Sequence, residues 1–301
     1  MPLRLRHLTV VFLSLALAAP RAGGQRPLKV YISVDMEGIA GVVSAEQLGP
    51  PGFEYAAARQ WMTSETLAAI QGARDAGATE IVVSDSHGNG QNLLIDQFPA
   101  DVTIIRSWPR PLMMMEGIDS SFAAAVFIGY HASTSNLRGV RAHTMSSATL
   151  TGVALNGQQM PEGGVNAAIA GYFGVPVVAV SGDDAAVEEV QRFTGPVEGA
   201  VVKRAISFHS AATITPRVAQ DLIRAKVKAG VERRANARAF ALRGPVTLDL
   251  AFKNYRTAEM LSYLSIVTRT DAHTVRFVGR NILEVSKFVE FAESYQSDLV
   301  P

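Results

Sequence analysis

The sequence predicts an α/β fold in which a mostly parallel central sheet is flanked by helices, with a smaller α+β C-terminal domain. Two observations carry this prediction. Short apolar runs rich in Val and Ile alternate along the chain with longer segments of helix-forming residues, which is the order that builds a parallel sheet with helical crossovers. In addition, 48% of the 301 residues are apolar and 18% are charged, a composition typical of a globular protein with a large core.

The elements of the N-terminal half follow from local pattern. Residues 28–35 form a β-branched, apolar run suited to a buried strand, and residues 55–76 form a long helix-prone segment that ends at Gly77. The same criteria predict further strands at 79–84, 102–106, 123–130 and 175–181, a hairpin around 147–156 and a helix at 163–173.

A weak domain boundary is predicted at Pro196, because turn residues surround it. We therefore expect an α/β domain over residues 25–195 and a smaller C-terminal domain over residues 196–301. The patterns beyond the boundary predict a strand near 200–206, a basic helix near 216–239, a strand at 246–252, a hairpin-like pair near 266–278 and a closing helix at 282–294.

The first 24 residues have the pattern of a secretory signal peptide. Arg4 and Arg6 precede an apolar run of 12 residues, and small residues around Ala18 and Gly24 offer cleavage points. The alternative is a membrane anchor, but a membrane-spanning helix needs about 20 apolar residues. We therefore expect an exported protein, periplasmic or extracellular, with no stable membrane association after cleavage.

Charge and cysteine content exclude several classes of function. The chain has 28 basic and 27 acidic residues, and without its first 24 residues it has 25 basic and 27 acidic residues, a formal charge of −2. A protein near neutrality lacks the basic surface that binds nucleic acid. The sequence has no cysteine, which excludes disulfides, thiolate nucleophiles and cysteine-ligated zinc.

Polar residues follow three of the predicted strands at the point where each strand ends. Asp35 and Glu37 come after the first strand, His87 after the second and His131 after the fourth. The carboxyl ends of parallel strands meet at one edge of a sheet, where open α/β folds bind ligands. The sequence therefore predicts that two carboxylates and two imidazoles converge there.

Two further residues could join this group. Glu162 opens the helix that follows the predicted hairpin, and His143 lies 12 residues after His131. Each has an ordinary alternative: an acid in the first turn of a helix stabilises the helix dipole, and His143 could be a surface residue. Local pattern alone leaves both alternatives open.

The predicted ligand set favours a pair of metal ions. Carboxylates and imidazoles without thiolates suit zinc, manganese or iron. Asp35, Glu37 and Glu162 would supply three negative charges beside the neutral His87 and His131, and five ligands are too many for one open tetrahedral zinc. Two metals about 3.5–4 Å apart that share a carboxylate fit better, and such pairs activate water for hydrolysis.

These residues lie in motifs that resemble the DppA-type zinc D-aminopeptidases. The matching motifs, in chain order, are SVDMEGIAG at 33–41, SDSHG at 84–88, MEGID at 115–119, GYHA at 129–132, AHTMS at 142–146, PEGGVNA at 161–167 and VAVSGDD at 178–184. Together they are highly specific and extend over residues 28–203. One departure is an extra residue between His131 and His143, which affects the shape of the loop at 132–142.

The resemblance implies a binuclear zinc centre, with two Zn²⁺ per subunit, and a role for each site residue. Asp35 would bridge the two metals, Glu37 and His87 would complete one site, and His131 and Glu162 the other. His143 matches the family's catalytic histidine.

The resemblance also implies a homodecamer enclosing a channel. It implies an aminopeptidase that hydrolyses short peptides or amides with an N-terminal D-amino acid, with a metal-bridging water as the attacking group. Two alternatives remain from the residues: a binuclear metallohydrolase of another ester, amide or phosphoester class, and a non-catalytic exported protein that binds D-peptides or metal.

Overall fold

The computed structural model describes residues 27–295, and two β-sheets organise this part of the chain. The predicted signal peptide lies outside the described residues. Within residues 27–295, no helix has both the length and the apolar character that a membrane-spanning helix requires.

The first sheet has seven strands in the order β3-β2-β1-β4-β7-β8-β9. All pairs are parallel except the last, in which β9 runs antiparallel to β8. The strands are β1 (Lys29–Val34), β2 (Glu80–Asp85), β3 (Val102–Ile105), β4 (Ala124–Tyr130), β7 (Val177–Asp183), β8 (Glu198–Ser207) and β9 (Ser210–Thr213). Because β1 and β4 pair in the centre, the loops that follow them leave the sheet side by side.

Successive residues of β1 pack on opposite faces of the first sheet. Val30 and Ile32 belong to a core shared with helices α1 (Tyr55–Asp75) and α4 (Pro216–Glu232). Tyr31 belongs to the other core, which contains α2 (Glu162–Tyr172), α3 (Asp184–Thr194) and the second sheet. This alternation is expected of a strand buried on both faces.

Helices α1 and α4 pack closely against each other. A Cβ atom added at Gly72, in the last turn of α1, would lie 2.5 Å from the carbonyl oxygen of Arg224. Glycine therefore stands inside the helix, despite its low helix propensity, because the backbone of α4 passes there.

The second sheet is antiparallel, with five strands in the order β11-β12-β10-β5-β6. Its strands are β5 (Leu150–Leu155), β6 (Gln158–Gln159), β10 (Val246–Phe252), β11 (Val267–Arg269) and β12 (Thr274–Gly279), and its helices are α5 (Tyr255–Leu261) and α6 (Ile282–Ser294). Asn156 and Gly157, both with positive φ, form the tight turn between β5 and β6, as is usual for a two-residue hairpin.

The predicted fold class is confirmed, with local differences. Helices α3 and α5 were not among the predicted elements, and the hairpin lies at 150–159 instead of around 147–156. Helix α4 ends at Glu232 instead of residue 239. After Val231, no large apolar residue occurs until Phe240, so an extension of this helix would have no apolar face to bury.

The division between the two sheets does not coincide with residue 196. Strands β5 and β6 precede this residue but join the second sheet, while β8, β9 and α4 follow it but pack with the first. The chain therefore crosses three times between the two sheets, after β4, after β6 and after β9. The domain division at 195/196 stays a prediction.

Candidate metal centre

The six site residues predicted from the sequence come together at the carboxyl edge of the first sheet. We call them the polar cluster; its members are Asp35, Glu37, His87, His131, His143 and Glu162, all of which are buried. The sheet edge and the first turn of α2 bring them together, as expected from the parallel order of the strands.

A close approach of two backbone segments positions the first carboxylates. The amide of Asp35 donates to the carbonyl of Ile128 (2.8 Å), and the amide of Gly38 donates to the carbonyl of Gly129 (2.7 Å). Gly129 has a φ of +72°, and a Cβ atom there would lie 2.1 Å from the carbonyl oxygen of Asp35. Glycine at this position is required for the loops after β1 and β4 to meet.

Asp35 lies between two histidines and directs one carboxylate oxygen toward each. Its Oδ1 lies 3.2 Å from Nδ1 of His87, and its Oδ2 lies 3.3 Å from Nε2 of His131. On the first side, Nδ1 of His87 is also 2.8 Å from Oε2 of Glu37. On the second side, Nε2 of His131 is also 3.2 Å from Oε1 of Glu162.

His143 lies beside the second of these groups. Its Nε2 is 3.6 Å from Oε1 of Glu162, and its ring stacks on that of His131. The backbone amide of Met145 donates to the same Glu162 oxygen (2.7 Å) and fixes this carboxylate. Arg141 and Met145, on either side of His143, both have positive φ, a conformation that is costly for such residues and is often found at functional sites.

Each of the three histidines has one ring nitrogen within hydrogen-bond distance of a backbone carbonyl oxygen. Nε2 of His87 lies 2.8 Å from the oxygen of Leu48, Nδ1 of His131 lies 3.0 Å from that of Ala132, and Nδ1 of His143 lies 2.8 Å from that of Arg141. A carbonyl can only accept, so these nitrogens carry the proton in the neutral ring. The other nitrogen of each ring then directs a lone pair toward the carboxylates, which is the usual arrangement of metal-binding histidines.

The chemistry of the cluster fits metal ions. Asp35 Oδ2, Glu37 Oε2 and His131 Nε2 are buried and have no hydrogen-bond partner, although buried polar atoms nearly always have one. Asp35, Glu37 and His131 each offer one ligating atom within 4.8 Å of the others, and so do His131, His143 and Glu162. Divalent cations would satisfy these atoms.

Electrostatics lead to the same conclusion. Burial and the charge of Glu37 raise the pKa of Asp35. Burial acts to raise the pKa of Glu37 as well, but the charge of His87 outweighs it, and the pKa of Glu37 lies well below its ordinary value. Burial acts to lower the pKa of His131, yet the carboxylates of Glu162 and Asp35 raise it well above its ordinary value. The cluster therefore strongly favours positive charge between its side chains.

Comparison with known proteins identifies the family. The peptidase family described as D-aminopeptidase matches residues 28–291. The chain belongs to this family. A curated D-aminopeptidase of Bacillus subtilis (strain 168) is 33% identical over 261 residues, which cover 85% of this chain and 93% of that protein.

A solved structure is similar in fold as well as in sequence. It is described as the Zn-dependent D-aminopeptidase DppA from Bacillus subtilis, a self-compartmentalizing protease. The TM-score is 0.83 at 30% identity, and the match covers 89% of this chain and all of that one. The predicted resemblance and the predicted enzyme class, a metallo-aminopeptidase, are confirmed.

Two buried ionisable residues that support the loop after β1 in this D-aminopeptidase family member were not predicted from the sequence. Lys203 of β8 donates from Nζ to the carbonyls of Glu37, Ile39 (3.0 Å) and Val42. Glu65 of α1 accepts from the amide of Ala40 (2.9 Å). Lys203 lies in a strand that begins 161 positions after Glu37, so no local spacing could have indicated its role.

The loop at 132–142 is also held by buried acids. Glu189 of α3 accepts from the amide (2.7 Å) and the hydroxyl (2.9 Å) of Ser133. Asp183 accepts from the amide of Val140 (2.7 Å) while it caps α3 through the amide of Ala186. The extra residue in this loop is therefore accommodated in a segment with fixed ends.

A cavity of about 440 Å³ opens beside the polar cluster. Its size is that of a site for a small molecule. Apart from the cluster, the residues that line this cavity include Trp108, Met113, Met114, Arg141 and Met145, and Glu290 and Glu293 of α6. The cluster is thus accessible to a ligand of limited size.

Proposed function

We propose that the protein is a binuclear zinc aminopeptidase that hydrolyses short peptides or amides with an N-terminal D-amino acid. The observation that carries the proposal is the polar cluster itself, in which three buried carboxylates face three imidazoles. Each imidazole directs one ring nitrogen toward a carboxylate, and its second ring nitrogen is hydrogen-bonded to a backbone carbonyl. Membership of the D-aminopeptidase family supports the substrate class, and the zinc dependence of the similar DppA supports the metal.

Asp35 is the residue best placed to bridge two metal ions. Its two oxygens face His87 and His131 separately, whereas the free nitrogen of an imidazole has a single lone pair and serves one metal. We therefore assign Glu37 and His87 to one metal, and His131 and Glu162 to the other. Two zinc ions bound there would lower the pKa of a bound water and would polarise the scissile carbonyl.

We assign His143 to proton transfer. Its Nδ1 donates to the carbonyl of Arg141, which leaves the lone pair on Nε2, directed toward Glu162. In this tautomer Nε2 can take a proton from the attacking water and give it to the leaving amine.

The assembly is proposed to be a homodecamer. The similar DppA is described as self-compartmentalizing, and this chain exposes apolar side chains on α5, on the loop that follows it and at the C-terminal end of α6. They are Tyr255, Met260, Tyr263, Leu264, Ile266, Phe291 and Tyr295. Exposed apolar groups in such number are typical of a subunit interface, and light scattering of the purified protein would measure the mass of the assembly.

The location is proposed to be outside the cytoplasm, on the pattern of the first 24 residues alone. Cell-wall peptides that carry D-alanine would then be available as substrates. The mass of the N-terminus of protein recovered from the periplasm or the medium tests this: an intact Met1 would contradict export with cleavage.

The function is tested by a substrate screen with elemental analysis on the same preparation. Zinc-loaded protein should contain two zinc ions per chain and release amine from D-aminoacyl amides and peptides, and much more slowly from the L-enantiomers. Release from L-substrates alone would overturn the specificity. Hydrolysis of an aryl phosphate but of no D-aminoacyl substrate would favour a phosphoesterase. Binding of D-peptides without release of amine would favour a binding protein.

A further inference from the structure

The wall of the cavity beside the polar cluster is rich in carboxylates and contains a single arginine. The lining includes the carboxylates of Asp35, Glu37 and Glu162 together with those of Glu290 and Glu293. Arg141 is the one Lys or Arg side chain among the lining residues. Arg141 is therefore the permanently cationic side chain that this lining offers to an anionic part of a ligand, apart from the proposed metals.

The backbone of Arg141 is fixed next to the proposed proton-transfer residue. Its amide donates to the carbonyl of Phe208 (2.9 Å), and its carbonyl accepts from Nδ1 of His143 (2.8 Å). Its guanidinium lies over the ring of Phe208, 5.3 Å from the centroid. Two hydrogen bonds thus fix the backbone of Arg141, and the ring of Phe208 holds its guanidinium beside the cavity.

The guanidinium of Arg141 has no acceptor among residues 27–295. Its Nε is buried without a hydrogen-bond partner, and no carboxylate of the described chain forms an ion pair with it. Arg138, three residues earlier in the same loop, instead pairs with Glu188 at 2.7 Å on the surface. An arginine that borders an acidic cavity and pairs with none of its carboxylates is suited to an external anion, for which its planar fork of donors matches a carboxylate.

We propose that Arg141 binds the C-terminal carboxylate of the substrate, so that the enzyme prefers peptides that end shortly after the scissile bond. This inference rests on the proposed aminopeptidase function. His143 gives its proton to the leaving amine, and that amine belongs to the residue that carries the free carboxylate of a dipeptide. Arg141, whose carbonyl orients His143, lies on this leaving-group side.

The test compares two substrates that differ only at the carboxylate: D-alanyl-D-alanine and D-alanyl-D-alanine amide. We expect Arg141→Ala to lower kcat/KM for the acid by about 10- to 100-fold, mainly through KM, and to leave the amide within about twofold, as for loss of a bond to a charged group. Arg141→Lys should be intermediate, because an ammonium keeps the charge but lacks the fork. Arg138→Ala is the matched control and should change neither substrate.

The ratio of the two rates on one preparation is independent of the fraction of folded, zinc-loaded enzyme, so partial misfolding of a variant does not obscure the result. An equal fall for acid and amide, or no fall for the acid, overturns the proposal, as does a wild type that does not distinguish the two. If the wild type hydrolyses neither peptide, the proposed function has failed, and this inference fails with it. If Arg141→Ala hydrolyses the amide and hydrolyses the acid as fast as the wild type does, the proposed role of Arg141 fails while the proposed aminopeptidase function stands.

Discussion

The imidazole rings of His131 and His143 are stacked, with centroids 3.9 Å apart and planes inclined by 9°. Each ring is fixed by a bond from Nδ1 to a backbone carbonyl, and each presents Nε2 to the same oxygen of Glu162. Two chemically equal side chains are thus held in parallel at one carboxylate. Their proposed roles differ because His131 also contacts Asp35, whereas His143 has Glu162 as its only carboxylate within ion-pair distance among the described residues.

Replacement of His143 should separate metal binding from turnover. We expect His143→Ala to keep both zinc ions, because the five proposed ligands remain, and to lose turnover by a factor of about 10² to 10⁴, as for removal of a general acid or base. Elemental analysis and kcat on the same preparation measure this. His209→Ala, at an exposed histidine, is the control; full activity of zinc-loaded His143→Ala would remove this residue from the chemistry.

Replacement of Asp35 should abolish the metal centre. The side chain faces both proposed metal positions, so we expect Asp35→Ala to retain less than one zinc ion per chain and to be inactive. Asp101→Asn, at an exposed surface ion pair, should bind zinc as the wild type does. Two zinc ions in Asp35→Ala would contradict a bridging role.

Removal of metal should destabilise the protein. Without a cation, buried carboxylates of the polar cluster repel one another, and ligands that bind only the folded state add to its stability. We expect a chelator to lower the Tm measured by thermal denaturation and added zinc to restore it. The same treatment should leave the Tm of Asp35→Ala almost unchanged, since that variant has little metal to lose.

Glu65 should make stability depend on pH. Burial raises its pKa from 4.5 to about 8, although the bond from Ala40 and the charge of Lys203 act to lower it. A carboxyl group whose pKa is raised in the folded protein binds its proton more tightly there than in the unfolded chain. Its contribution to the free energy of unfolding is therefore complete below pH 4.5 and is lost as the pH rises to about 8.

The corresponding test compares the wild type with Glu65→Gln, whose amide keeps the acceptor for Ala40 but does not ionise. The free energy of unfolding of the wild type should fall relative to that of the variant between pH 5 and pH 8, by at most on the order of 5 kcal/mol. Denaturant titrations at several pH values measure this difference. A constant difference would show that Glu65 ionises at an ordinary pH in the folded protein.

Lys203 should support metal affinity without contacting metal. Its ammonium is buried, and its three acceptors are carbonyls of the loop that presents Glu37. Lys203→Met leaves these carbonyls without their donor, at a cost of about 3 kcal/mol, and should weaken retention of zinc against a chelator. Lys228→Met, at an exposed ion pair with Glu232, is the control and should compete for zinc as the wild type does.

The parallel sheet explains why much of the site could be predicted. A run of β-branched residues identifies each strand, and the rule that ligands bind at the carboxyl edge then places Asp35, Glu37, His87 and His131 together. Glu162 and His143 lie outside this rule, because one opens a helix and the other ends a long loop. Their placement from sequence depended on motifs that resemble a known family.

The supporting residues could not be predicted, for a physical reason. Lys203 and Glu65 are stabilised by backbone groups of another segment, and a single buried charge has no periodic pattern that identifies its partner. Helix α5 has few buried residues, so its apolar pattern is weak. Helix α3 does have a signal, since Asp183 caps it and Gly195 ends it, but the two acidic residues at its start also suit a turn.

The position of Lys203 in the chain has a consequence for how the protein acquires metal. A nascent chain that has reached residue 195 already contains every residue of the polar cluster, but it lacks the ammonium bonded to the loop of Glu37. The strands that complete this edge of the sheet, β8 and β9, are also still to be made. We therefore expect stable capture of the proposed zinc ions to follow synthesis of β8 and β9, so that a shorter chain would lack a stable metal centre.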